Sequence, residues 1–199
     1  MATNFTPPRF YPIIDTSLPY LAVHVAEAVA TAGAKILQYR HKGNWTQREY
    51  DEAREIAGIC RDAGILFVIN DRADFANLLG AALHIGQDDL PAPAARKVVP
   101  NAVIGFSTHN AAQMRRAIGS PVDYLSLGPV FPTKSKENPD PVVGLEGLRA
   151  LRPLTSKPLV AIGGITLENA PEVLAAGADS VAVISGLLPL EKLSDWCRL

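Results

Sequence analysis

One two-part unit recurs eight times along this chain: a short apolar run, then an alanine-rich stretch with helical spacing. The apolar runs are "FYPIID" (10–15), "KILQYR" (35–40), "LFVIN" (66–70), "ALHI" (82–85), "AVIGFS" (102–107), "DYLSLG" (123–128), "PLVAIGG" (158–164) and "SVAVIS" (180–185). Strands that alternate with helices pair in parallel through right-handed crossovers, because each helix must pack back onto the sheet. Eight units predict a compact, closed (β/α)8 TIM barrel, one domain spanning residues 1–199. An open doubly wound sheet is the alternative, but no G-x-G-x-x-G follows the first run. Gly33, Gly64, Gly80, Gly119 and Gly177 stand where helical patterns stop, and are expected to close them in the left-handed conformation.

A barrel of this kind carries its chemistry at the C-terminal ends of its strands. Here those ends hold Asp15, then Gln38, Arg40 and Lys42, then Asn70 and Asp71, then "GQDD" (86–89). Ser107, Thr108 and His109 follow the fifth run, and Thr133, Lys134, Ser135 and Lys136 the sixth. The last two runs end in Gly163–Gly164 and Ser185–Gly186. Alternation along a strand turns Gln38, Arg40 and Lys42 to one side, with Tyr39 and His41 facing away.

Lysine plus arginine number 19 and aspartate plus glutamate 20, a formal net charge of −1. Without a global field to draw nucleic acid or an anionic membrane, an anion must be met by a local cluster. Arg40, Lys42 and Lys136 make one such cluster, and the Gly163–Gly164 turn with Ser185 predicts a backbone phosphate cradle across the mouth. Asp71 and Asp89 would lie beyond neighbouring strands about 4.8 Å apart, a spacing that suits two carboxylates on one Mg²⁺. Each feature alone has a plain reading: a fraying strand, a tight turn, solvated aspartates. Their convergence on one mouth favours a site for a metal–diphosphate. The irregular stretch 129–143 is long for a compact domain and is expected to be a flap that orders around anions. Of the histidines, His24 lies in a helix pattern and His84 within a strand, where a hydrogen-bonded core role is expected. His109 is the acid–base candidate; none of the histidines has the spacing of a metal ligand, and no Ser-His-Asp arrangement is present.

Cys60 and Cys197 are too few for a disulfide framework. The start, "MATNFTPPRFY", has no secretory signal pattern, and no apolar run approaches the roughly 20 residues that span a bilayer. A soluble cytoplasmic protein is expected, with small phosphorylated molecules as partners and neither nucleic acid nor membrane. A homo-oligomer is compatible with this composition.

In collinear order, "YPIID", "LQYRHKG", "VINDRADFA", "LHIGQDDLP", "IGFSTHN", "YLSLGPVFPTKSKEN", "AIGGIT" and "GADSVAVIS" resemble the thiamine-phosphate synthase family from Tyr11 to Ser185. The resemblance implies a transferase joining 4-amino-2-methyl-5-hydroxymethylpyrimidine diphosphate to a thiazole phosphate, or its carboxylated form, with release of pyrophosphate. It implies that Gln38 and Ser107 hold the pyrimidine, and that Arg40, Lys42, Asn70 and Lys136 grip the diphosphate. Asp71 and Asp89 would bind Mg²⁺, while Thr133, Ser135, Gly164 and Ser185 contact the thiazole phosphate or the diphosphate beside it. Arg40, Lys42, Lys136 and Ser107 would form the catalytic set. The implied reaction is dissociative and needs no protein nucleophile, in keeping with the missing triad. The approach to the fourth strand, "GAALHIGQ", is one residue shorter than the family's spacing, which shifts the expected place of Asp89. The sister family of thiazole tautomerases shares the fold but generally lacks the Q-x-R-x-K and N-D elements present here. A non-catalytic phosphate-binding relative would have no reason to keep Lys42, Asp71 and Lys136 together.

Overall fold

Eight parallel strands close into a barrel in the computed structural model of the chain, which describes residues 5–133 and 140–199. The strands are β1 (Phe10–Asp15), β2 (Ile36–Arg40), β3 (Leu66–Asn70), β4 (Ala82–Ile85), β5 (Ile104–Thr108), β6 (Tyr124–Leu127), β7 (Leu159–Ile162) and β8 (Ser180–Val183). Each pairs with the next, and β8 pairs with β1 through Tyr11 and Ala182. The intervening helices are α1 (Ala22–Thr31), α2 (Gln47–Asp62), α3 (Ala73–Leu79), α4 (Ala92–Val98), α5 (Ala111–Ile118), α6 (Gly144–Leu151), α7 (Ala170–Ala175) and α8 (Leu193–Trp196). The expected (β/α)8 order is therefore present.

Strand alternation divides the apolar residues into two layers. Ile13, Ile36, Val68, Ala82, Val160 and Ala182 point inward and fill the barrel. Ile14, Leu37, Ile69, Leu83, Leu125 and Val181 point outward and meet the helices. Because both faces are covered, the strands read as continuous apolar runs. α2 starts cleanly because Thr46 and Glu49 form a reciprocal capping box, with the Thr46 N–H donating to Glu49 Oε2 at 2.9 Å. The C-terminal helix is tied to the wall by Trp196, which stacks on Phe10 at 5.2 Å and donates its indole N–H to the Gly186 carbonyl.

Two details depart from expectation. The alanine-rich stretch between the seventh and eighth runs, 166–178, has helical spacing but yields only the six residues of α7, because Asn169 Oδ1 accepts the Thr166 N–H at 2.8 Å and holds the entry as a turn. Gly119 is not left-handed: its φ is −81°, and its N–H bonds Ala117 O in a right-handed turn. Gly33, Gly64, Gly80 and Gly177 do take positive φ.

A repeated device fastens the lower rim. Asp123, just ahead of β6, accepts the Ile104 N–H at 2.8 Å and the Arg96 guanidinium at 2.7 Å. Asp179, just ahead of β8, accepts the Leu159 N–H at 2.8 Å and the Arg152 guanidinium at 3.2 Å. Each aspartate thus clamps the start of the preceding strand to the helix that leads into it. Asp123 is the more buried of the two, its side chain 3% exposed against 40% for Asp179. Asp123→Ala is therefore expected to cost about 2 kcal/mol, the loss of hydrogen bonds to a buried charge, and Asp179→Ala less than half of that. Urea unfolding of the two variants checks the order, and equal losses would refute it.

Candidate active site

The C-terminal ends of the strands open into a single cavity of about 440 Å³. Gln38 and Arg40 reach it from β2, Asn70 from β3, and Ser107 from β5. Lys42, Asp71, Asp89 and Thr133 reach it from the loops that follow the strands, as do Gly164 and Ser185. All ten residues were expected at one mouth, and they line one wall-to-wall space. Ser135 and Lys136 lie outside the described residues, as does the 134–139 part of the expected flap.

The two cations of β2 and its loop are held by carboxylates. Arg40 pairs with Asp15, which is almost fully buried and also accepts the Ser17 N–H at 3.0 Å and its hydroxyl at 2.6 Å. Asp15 sits opposite Arg40 in the β1–β2 register, so it fixes where the guanidinium lies. This positioning partner was visible in the sequence only as another polar strand end. Lys42 stands beyond the end of β2, and its ammonium reaches Asp71 Oδ2 at 2.5 Å.

Asp71 takes a φ of +65°, a conformation uncommon for any residue but glycine, held by its N–H bond to the His84 carbonyl at 2.8 Å. Burial and then the neighbouring Asp89 carboxyl push its pKa up to about 6, against the opposing pull of Lys42. Asp89 is anchored in turn: its Oδ2 accepts the Gly86 N–H at 2.6 Å. The shortened approach to β4 therefore still delivers Asp89 beside Asp71. Asn70 adds a buried Nδ2 with no partner among the described residues, a donor on the cavity wall. No cluster of three or more metal-ligating side chains exists among the described residues. Two crowded carboxylates fit a Mg²⁺ that takes its other positions from ligand oxygens and water.

Gly163 and Gly164 have φ of +100° and +65°. A Cβ on Gly164 would lie 2.6 Å from the Pro132 carbonyl, so the β6–α6 loop packs directly on this turn. Glycine here serves both the turn and the seat of that loop.

Below the mouth, the inner layer holds a network of polar side chains. The Tyr11 and Tyr124 hydroxyls meet at 2.8 Å. Gln38 Nε2 donates to Tyr11 Oη at 2.9 Å, and Tyr124 Oη lies 2.9 Å from His84 Nδ1. His84 Nε2 lies 2.9 Å from Ser107 Oγ, which also accepts from Ser126 Oγ at 3.3 Å. Burial lowers the pKa of His84 to about 4, so the ring is neutral. Its expected hydrogen-bonded core role is observed, but within the cavity wall. His41 turns away to Thr16 Oγ1, and Tyr39 to Glu52, as alternation required. His109 lines the cavity with Nδ1 2.6 Å from the Gly128 carbonyl and Nε2 3.4 Å from Asp140.

Known proteins share both this sequence and this fold. The family model described as thiamine monophosphate synthase matches residues 10–187. A thiamine-phosphate synthase of Koribacter versatilis is 47% identical, with 100% of this chain and 99% of the relative covered. One from Chloroflexus aurantiacus is 39% identical over 96% of this chain and 89% of its own. Among solved structures, the thiamine phosphate pyrophosphorylase of Pyrococcus furiosus superposes with a TM-score of 0.85 at 34% identity, covering 96% of this chain and 93% of that one. A match that runs through every strand and both ends of the cavity leaves one assignment: the chain belongs to the thiamine monophosphate synthase family.

Proposed function

We propose that the chain couples 4-amino-2-methyl-5-hydroxymethylpyrimidine diphosphate to 4-methyl-5-(2-phosphoethyl)thiazole, giving thiamine phosphate and pyrophosphate, as a cytoplasmic Mg²⁺-assisted enzyme. The observation that carries this reading is the wall formed by Arg40, Lys42, Asn70, Asp71 and Asp89, which sets cations and a carboxylate pair in the same cavity as Gln38 and Ser107.

Arg40, oriented by Asp15, and the Asn70 amide face the diphosphate as fixed donors. Lys42 exchanges its bond to Asp71 for a phosphate oxygen. Asp71 and Asp89 would hold Mg²⁺, which would supply positive charge against the diphosphate leaving group. Gln38 and Ser107 orient the pyrimidine so that the exocyclic C–O bond points at this wall. As that bond breaks, both electrons leave with the diphosphate, and the cationic pyrimidine carbon is met by the lone pair of the thiazole nitrogen. The Gly163–Gly164 turn and Ser185 hold the thiazole phosphate within reach of that carbon. Thr133 adds a hydroxyl from the loop after β6, and the family resemblance would add Ser135 and Lys136, which lie outside the described residues. Catalysis then consists of positioning and charge stabilisation, for which no general base is required. A tautomerase would need one; His84 has both ring nitrogens engaged in the barrel wall, and His109 has Nδ1 on the Gly128 carbonyl and Nε2 facing Asp140.

The test is pyrophosphate release from the two substrates with and without Mg²⁺. Stoichiometric pyrophosphate and thiamine phosphate are expected. Tautomerisation of the thiazole phosphate with no pyrophosphate would move the chain to the sister activity, and binding without turnover would make it a phosphate-binding relative.

A further inference from the structure

The hydrogen bonds beneath the cavity form one unbroken chain: Gln38, Tyr11, Tyr124, His84, Ser107. A hydroxyl that accepts on one side donates on the other, and a neutral imidazole has one N–H and one acceptor nitrogen. Direction therefore propagates from end to end. Gln38 Nε2 donates to Tyr11 Oη, which leaves the Tyr11 proton for Tyr124 Oη. The Tyr124 proton then falls to His84 Nδ1, and the His84 Nε2–H falls to Ser107 Oγ. With Ser126 also donating to it, Ser107 has its own proton left for the cavity, while Gln38 has its amide oxygen and its second Nε2–H left. Reversing either end would require reversing every bond between them.

We infer that Tyr11, Tyr124 and His84 are positioning residues: a directional relay that makes Gln38 an acceptor and Ser107 a donor together, selecting an aminopyrimidine over an oxopyrimidine. The inference rests on the function proposed above and adds how the substrate class is read. A 4-aminopyrimidine offers a donor at its amino group, an acceptor at N3 beside it and an acceptor at N1 across the ring, which match the Gln38 oxygen, the second Gln38 N–H and the Ser107 hydroxyl. Its 4-oxo counterpart, in the N3–H form, reverses the first two, with an acceptor at C4 and a donor at N3, and keeps the acceptor at N1. Because the ends switch as a pair, neither direction of the relay satisfies it. A site whose buried polar groups are left unpaired rejects such an analogue far better than a shape-only pocket.

Tyr124→Phe removes the central hydroxyl and frees each end to turn alone. In the full chain, the 4-oxo diphosphate is expected to inhibit wild type weakly, and the ratio of its Ki to the KM of the amino substrate should shrink at least about tenfold in Tyr124→Phe. KM for the thiazole phosphate should not move. Tyr11→Phe should behave alike, and the double variant should lose no more than either single one, since a broken relay cannot be broken twice. Loss of packing would instead lower Tm and weaken both pyrimidines equally. Should Tyr124→Phe fail to fold, Tyr11→Phe carries the same ratio test. ¹⁵N NMR of the wild-type imidazoles with the amino substrate bound gives a second measurement. His84 protonated at Nε2 is expected, and protonation at Nδ1, an unchanged Ki/KM ratio, or additive single losses would overturn the relay. Absence of any coupling reaction in wild type would instead overturn the proposed function, and the NMR result would still stand or fall alone.

Discussion

Asp71→Asn is expected to lower kcat about 10²–10³-fold, the usual loss when one preorganised charge is removed from a developing transition state. The substitution keeps the size of the side chain, and asparagine tolerates a φ of +65° as readily as aspartate does, so the turn after β3 should be unchanged. What goes is the charge that Lys42 and the neighbouring Asp89 now share a space with. Charge on the diphosphate grows as the C–O bond lengthens, so the loss falls on the chemical step more than on ground-state binding. The thiazole phosphate, which we place on the loops after β7 and β8, should keep its KM. The measurement is kcat across a Mg²⁺ titration for both proteins, with a chelator control. Full wild-type turnover in the chelator, or a normal kcat for the mutant at limiting Mg²⁺, would remove the carboxylate pair from the mechanism.

The second large effect is expected at a glycine. Gly105 lies in β5, paired with Tyr124 of β6 on one side and His84 of β4 on the other. A Cβ there would sit 2.5 Å from His84 Nδ1 and closer still to the Tyr124 phenol. Nothing flexible stands in the way: both rings are buried and hydrogen-bonded to each other. Gly105→Ala therefore either forces the two rings apart or bends β5. Overpacking together with a broken buried hydrogen bond amounts to about 3 kcal/mol. In a chain of this size that is a fall in Tm of about 6–12 °C. Gly58→Ala is the control, because a Cβ in that α2 position meets only the Arg61 guanidinium at 3.7 Å. Alanine there should stabilise the helix by up to about 1 kcal/mol. Gly105→Ala with wild-type Tm and activity would mean that β5 can move freely against its neighbours, contrary to the packing described here.

How much of this could be read from the chain differs by element. The strands β1, β3 and β4 fall on the runs 10–15, 66–70 and 82–85, because a strand covered on both faces is a local apolar pattern. The same alternation sent Gln38 and Arg40 inward, and Tyr39 outward to Glu52. Since a parallel barrel gathers its strand ends at one rim, the residues at those ends named the cavity before any coordinates did. Partners are another matter. Arg40 and Lys42 read as free cations, yet they are held by Asp15 and Asp71, each contributed by a different strand or loop. Gly119 and the entry to α7 depended on turn hydrogen bonds that composition does not display. Tyr11 and Tyr124 are 113 residues apart and read as ordinary strand aromatics. Only closure of the barrel, which sets the register of all eight strands at once, brings their hydroxyls together inside it. Local periodicity decides which way a side chain points, and the tertiary structure decides what it finds there.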